Sequence, residues 1–229
     1  MSKDIKIGTW LFLTSLLFIF GSAGLGDSFL AMPTSISPAD LAAHYRQNSQ
    51  GILLFCAIQG VGALVWGLFI PAIAIAMMKM QRPSMYLVIL HVMMGMIAVI
   101  SPFTSIIFFG AAALRPDMDP ATLQGLHDIG KAFFLTSLPT LIDGIVIAIA
   151  IFRDNPANPM FPRWFAWLNI VYAVGTQVNV FAPLVRTGPF GLDGVVGMYL
   201  PIFLVAVYIV ATGTVLLRVP AQKWDAATR

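Results

Sequence analysis

Six apolar stretches, each long enough to cross a bilayer, account for most of this sequence. They run from Gly8 to about Phe29, Gly51 to Met78, Met85 to Leu114, Ile129 to Phe152, Trp164 to Val185 and Val195 to Leu217. A helix needs roughly 20 mainly apolar residues to cross the hydrocarbon. The segments between the stretches are too short for a soluble domain. The expectation is an all-α integral membrane protein, a six-helix bundle forming one membrane domain over residues 1–229.

Composition removes the alternatives. Charged residues make up 10% of the 229 and hydrophobic ones 59%, where an ordinary soluble domain carries about 25% charge. So few charges do not cover a soluble globule of this size. A cytosolic enzyme, a disordered chain and a secreted disulfide scaffold are excluded. So is a nucleic-acid partner, because the net charge of +3 is not gathered into a basic face. The single cysteine, Cys56, lies inside the second stretch. It allows neither an internal disulfide nor a cysteine zinc site. The first stretch is longer than the apolar part of a secretory leader and is read as a retained anchor.

Lys and Arg in short loops set orientation. With the N-terminus inside, the inner segments carry Lys3, Lys6, Lys79, Arg82, Arg153, Arg163, Arg218, Lys223 and Arg229. The outer segments carry only Arg46, Arg115, Lys131 and Arg186. Both termini are therefore expected on the cytoplasmic side of the cell membrane. Arg163, Trp164 and Trp167 form an interfacial anchor at the inner surface.

The outer loops hold two helix starts. Ser37-Pro38-Ala39-Asp40 places a cap, a first-turn proline and an acid able to return the capping bond. It predicts a short amphipathic helix to about Arg46 in the first outer loop. Asp119-Pro120 starts another, which leads toward span four and carries His127, Asp128 and Lys131. Asp128 and Lys131 are three apart and fit an ion pair on one face. His44 and His127 fall in the same outer region, near Asp27, Asp40 and Asp128.

All ten acids are aspartates, and only Asp143 lies in the interior of a span. His91 is the only histidine so placed. Ionisable groups in a span cost at least ~2.5–3.5 kcal/mol at the helix centre, which makes them functional candidates. Both residues lie toward the inner ends of adjacent, antiparallel spans, so they are placed to meet. A pair would lessen the cost of both and would hold a proton near neutrality. The other reading of Asp143 is a protonated or hydroxyl-bonded acid that only joins helices.

Two polar stripes accompany the pair. Thr136, Thr140 and Asp143 share one face of span four by their 4, 3 spacing, with Pro139 breaking the helix beside them. Asn169, Tyr172, Thr176 and Asn179 share one face of span five, and Gln177 falls off it. Such stripes point away from lipid, either as hydrogen-bond glue between helices or as the lining of a cavity. Gln59 of span two and Tyr208 of span six face the same interior, with Trp66 as an apolar wall. Ala63-xxx-Gly67 and Gly144-xxx-Ala148 fit close helix packing.

Other motifs carry less. Met77, Met78, Met80, Met85, Met93, Met94 and Met96 crowd around His91. Thioethers with imidazole bind Cu(I), but methionine more often fills gaps. Asn155-Pro156-Ala157 matches the aquaporin triplet, but it occurs once and in an inner loop. A P-loop, an HExxH zinc site, a rhomboid-type serine motif and haem-binding histidine pairs are absent. No metal or cofactor is expected.

Three functions fit these residues. The first is binding or transport of a small lipophilic or weakly polar molecule at a polar centre between spans three, four and five. Asp143, His91, Asn169, Tyr172, Thr176, Asn179, Thr140 and Gln59 would form that centre. The second is a membrane enzyme on a lipid substrate, for which no nucleophile is evident. The third is an accessory subunit whose stripes bind partner helices. The partners expected are the bilayer, a small hydrophobic ligand and, in the third reading, further copies or other chains.

Overall fold

The computed structural model describes residues 3–135, 138–155, 157–181, 185 and 188–225. These residues contain no strand. The helices are α1 (Lys3–Gly21), α2 (Pro38–Trp66), α3 (Phe69–Met78), α4 (Met85–Leu114), α5 (Pro120–Leu135) and α6 (Leu138–Arg153). After them come α7 (Arg163–Gly175), α8 (Val178–Phe181), α9 (Leu200–Arg218) and α10 (Ala221–Asp225). One 3-10 turn covers Phe29–Ala31, and a π-helical turn, Val195–Tyr199, leads into α9.

Among the described residues, five helical segments are long and apolar enough to cross a membrane: Lys3–Gly21, Pro38–Met78, Met85–Leu114, Pro120–Arg153 and Val195–Arg218. The fifth stretch of the sequence behaves differently. Its helix α7 has 13 residues, about 20 Å at 1.5 Å per residue. A turn at Thr176 and Gln177 separates it from α8.

Helix α2 packs on α1 and α4, α4 on α6, α6 on α7, α7 on α9, and α9 returns to α1. The elements thus close a ring. Helix α3 packs against α1, α4 and α9, and its Phe69, Ile73, Ala76 and Met77 are buried. The outer surface carries exposed Leu17, Leu64, Ile89, Ile107 and Phe203. Exposed apolar surface of that extent belongs in lipid. Trp164 and Trp167 are exposed, and the Arg163 guanidinium lies 5.7 Å from the Phe152 ring centre.

The first outer loop differs from expectation. Ser37 caps as anticipated: its Oγ accepts the Asp40 N–H at 3.1 Å. The Ser37 hydroxyl also donates to Asp40 Oδ2 at 2.6 Å, so the carboxylate takes the side chain rather than the cap's own N–H. The helix does not stop near Arg46. It continues as α2 to Trp66, so no separate short helix exists. The polar run 47–50 stays helical, with Asn48 Nδ2 donating to the His44 carbonyl. Gly51 then seats against Gly26, where a Cβ would lie 2.8 Å from the Gly26 nitrogen. The interruption falls instead at Gly67 and Leu68. Pro71 has no N–H for the Gly67 carbonyl, which accepts the Ile70 N–H at 3.1 Å instead.

Asp119 starts α5 as expected. Its Oδ2 accepts the Thr122 N–H at 2.9 Å and the Thr122 hydroxyl at 3.0 Å. These bonds, the backbone one foremost, hold its carboxyl below the usual carboxylate range. The Asp128–Lys131 ion pair does not form: the one ion pair within 4.0 Å among the described residues lies elsewhere. Lys131 is 1% exposed, and its ammonium donates to the Met32 carbonyl at 2.7 Å.

Between α1 and the 3-10 turn, Gly26, Asp27 and Ser28 are all left-handed, with φ of 67°, 52° and 56°. For the two non-glycines this costs roughly 1–2 kcal/mol each. Phe29 anchors the segment. It is buried against Tyr45, Phe55, Phe109 and His127, and His44 Nε2 donates to the Gly26 carbonyl at 2.9 Å.

At the end of the bundle where α3 meets α4, Asp154 ties two loops together. It is 3% exposed and accepts the N–H groups of Gln81 (3.0 Å), Asn155 (2.9 Å) and Met160 (2.6 Å). Asp154→Ala strands these donors, and a stranded buried donor costs about 1–3 kcal/mol. A fall in the thermal midpoint of the protein in detergent checks this. Asp154→Asn, which keeps one acceptor oxygen, is expected to lose less.

Candidate functional site

His91 is fully buried on α4 and Asp143 is 5% exposed on α6. They meet, with His91 Nδ1 2.6 Å from Asp143 Oδ1. The other ring nitrogen, Nε2, lies 3.1 Å from the Ile70 carbonyl on α3. A carbonyl only accepts, so Nε2 carries a hydrogen. The short contact at Nδ1 then needs a proton of its own, because two lone pairs do not approach to 2.6 Å. That proton sits either on the imidazole, giving an ion pair, or on the carboxyl, giving a neutral pair. In both cases that proton joins α4 to α6, and the hydrogen on Nε2 joins α4 to α3.

An aromatic layer lies beside the pair. Phe69 meets the His91 ring at 6.1 Å between centres and the Tyr208 ring edge-on at 5.9 Å. Tyr208 stacks on Tyr172 at 4.2 Å. Beyond Tyr172 lies a cavity of about 360 Å³, within the range of about 300–1,000 Å³ usual for small-molecule sites. Its walls are mostly aromatic and aliphatic, including Phe20, Phe55, Trp66 and Phe134. Four of the eight anticipated site residues line it: Gln59, Thr140, Tyr172 and Thr176.

The cavity lies where helices are interrupted. Trp66 ends α2, Thr176 follows the last residue of α7, and Met198 and Tyr199 belong to the π-turn before α9. Broken helices inside a membrane are tolerated where they are buried in protein or line a cavity. In transporters such breaks mark the binding site.

The remaining anticipated residues take other places. His91 and Asp143 stand behind the aromatic layer and are not among the lining residues. Asn169 is fully buried, with its amide donating to the Phe165 carbonyl at 2.7 Å. It belongs to the α6–α7 contact, where the Gly144 face meets its backbone. Asn179 lies in α8, and its side chain is outside the described ones, as are Thr136 and the Asn155-Pro156-Ala157 proline. Tyr208 and Trp66 are buried as expected.

The cavity is wider than a centre between spans three, four and five. Ile19, Phe20 and Ala23 contribute from α1 and its end, and Ser28, Leu30 and Ala31 from the segment between α1 and α2. Gln177, expected off the polar face, is buried on it. Its amide nitrogen donates to Thr140 Oγ1 at 3.1 Å and to the Ala173 carbonyl at 3.0 Å. The turn after Gly175 rotates it inward, and the adjacent polar pair Thr176-Gln177 was the available signal. Gln59 also ties α2 to α1, its Nε2 donating to the Ile19 carbonyl at 3.0 Å and to Ser22 Oγ at 3.1 Å.

Neither candidate metal site assembles. Met85, Met93 and Met96 are exposed, and both His91 nitrogens are engaged. At the second candidate site, His127 Nδ1 bonds the Tyr45 hydroxyl at 3.0 Å, and His44 holds Gly26. Among the described residues no three His, Cys, Asp or Glu side chains converge.

Comparison with protein-family models, with curated proteins and with solved structures gives no match.

Proposed function

We propose that this protein binds a small lipophilic or weakly polar molecule in the 360 Å³ cavity and carries it across the cell membrane. In this reading α7 and α8 form a sixth, broken span, residues 1–229 are one membrane domain, and both termini are cytoplasmic. The convergence of two helix interruptions, at Gly67–Leu68 and at Thr176–Gln177, and a π-helical turn on one apolar cavity carries the reading. The His91–Asp143 pair serves as the proton-bearing centre behind the Tyr172–Tyr208 wall. An enzyme fits less well, because the acid and base do not reach the cavity wall. An accessory subunit also fits less well, because Asn169, Tyr172 and Thr176 are buried within the chain.

Photolabelling of the protein in lipid nanodiscs with 3-(trifluoromethyl)-3-(m-iodophenyl)diazirine tests binding. Labelling at Trp66 and Tyr172 is expected to saturate and to be displaced by excess unlabelled reagent. Labelling at lipid-facing Ile89 and Phe203 is expected to rise without saturation. Trp66 and Tyr172 labelling that follows Ile89 and Phe203 would overturn the reading.

A further inference from the structure

We infer that the ligand of this cavity is an uncharged lipophile with a hydroxyl or similar hydrogen-bond donor at one end. The inference rests on the cavity being a binding site and specifies what it takes.

Charge is excluded by the wall. No Asp, Glu, Lys, Arg or His lines the cavity among the described residues. An ionised group placed there would lose its water and find no counter-charge, which is prohibitive in an apolar site. The His91–Asp143 pair nearby is already satisfied within itself and stands behind Tyr172.

The donor follows from Gln59. Its two donor bonds go to the Ile19 carbonyl and Ser22 Oγ. Because a carbonyl cannot donate, the amide cannot be turned round: the nitrogen must face α1. The oxygen, Oε1, is the opposite end. Gln59 is 6% exposed and lines the cavity, and Oε1 is not among the fully enclosed, unpartnered atoms. It therefore opens into the cavity as an unfilled acceptor. Tyr172 supplies a second polar atom. It is 5% exposed on the same wall, its ring is fixed by stacking on Tyr208, and its hydroxyl bonds no described residue. An acceptor fixed by a second helix and a phenol on an immobilised ring are the groups that select a hydroxyl over a bare hydrocarbon.

The test uses the whole protein in nanodiscs, labelled with a diazirine-bearing fatty alcohol and read at Trp66 and Tyr172. Competitors are 1-dodecanol, dodecyl methyl ether and, at pH 8, dodecanoate, compared at equal mole fraction in the bilayer. Dodecanol is expected to displace the label about tenfold more effectively than the ether, the worth of one hydrogen bond, and at least as far ahead of dodecanoate. Gln59→Leu is expected to erase the alcohol–ether difference. Tyr172→Phe, which keeps the ring stack, is expected to weaken alcohol and ether alike; Gln59→Met, which removes the same acceptor, serves if Gln59→Leu does not fold. Equal, saturable displacement by all three competitors overturns the donor and charge inference while leaving the cavity as a site. No saturable labelling by any probe overturns the binding reading itself.

Discussion

Asp143→Ala is expected to destabilise the protein by about 3–5 kcal/mol, the cost of breaking a buried pair by removing one partner. The alanine leaves His91 fully enclosed, with Nε2 on the Ile70 carbonyl and Nδ1 facing nothing. His91→Ala is expected to cost a similar amount. The double replacement His91→Phe with Asp143→Leu removes both polar groups and is expected to recover most of the loss, since apolar substitutes for a whole buried pair are often neutral or better. Asp143→Asn separates structure from proton. With Nε2 still donating to Ile70, the asparagine amide donates to Nδ1, so the contact survives and the proton is gone. Reversible unfolding in mixed micelles measures all four variants. A double variant as unstable as the sum of the singles would show that the pair contributes more than mutual neutralisation. An Asp143→Asn protein with unchanged stability and unchanged transport would end the role of the proton.

Gly144 is the second point at which a small change has a large expected effect. A Cβ built there lies 2.7 Å from the Ala173 Cβ and 2.7 Å from the Asn169 carbonyl oxygen. The second of these is backbone and cannot step aside without moving α7. Gly144→Ala is therefore expected to cost about 1–3 kcal/mol, as overpacking does, despite alanine's better helix propensity. Gly144→Val is expected to exceed that range, because it pushes α7 off α6 and takes Tyr172 and Thr176 with it. Gly110→Ala on α4 is the contrast. No atom lies within 4 Å of its Cβ, so the propensity gain of roughly 0.5–1 kcal/mol is expected to appear. The same micelle unfolding curves compare them; a neutral Gly144→Ala would mean the α6–α7 contact is looser than described.

What the sequence made legible follows from cost. In hydrocarbon an acid or an imidazole is expensive enough to be noticed, and the pair His91–Asp143 was legible for that reason. The close α6–α7 contact was legible from Gly144-xxx-Ala148, because small residues at that spacing have few other uses in a membrane. Departures from a continuous helix were not legible. A helical wheel assumes one continuous helix, so it put Gln177 on the wrong face; the turn after Gly175 moves it inward. The interruption at Gly67 was hidden inside an apolar run, although Pro71 was the sign of it. The polar run 47–50 looked like a boundary but is compatible with helix once Asn48 and Gly51 have partners. Least legible was the wall built by Ser28, Leu30 and Ala31. It depends on three consecutive left-handed residues, of which Ser28 is a type that gives no warning of that conformation.

The proton count at His91 has an electrical meaning. Moving one elementary charge through a membrane potential of 100 mV involves about 2.3 kcal/mol. The pair carries the same single proton whether that proton rests on the imidazole or on the carboxyl, and its net charge is zero in both arrangements. A field across the bilayer can at most tilt the internal dipole of such a unit. It does no work on the unit as a whole. Movement of the pair itself is then voltage-silent, and it becomes sensitive to the potential only in a step where the proton enters or leaves.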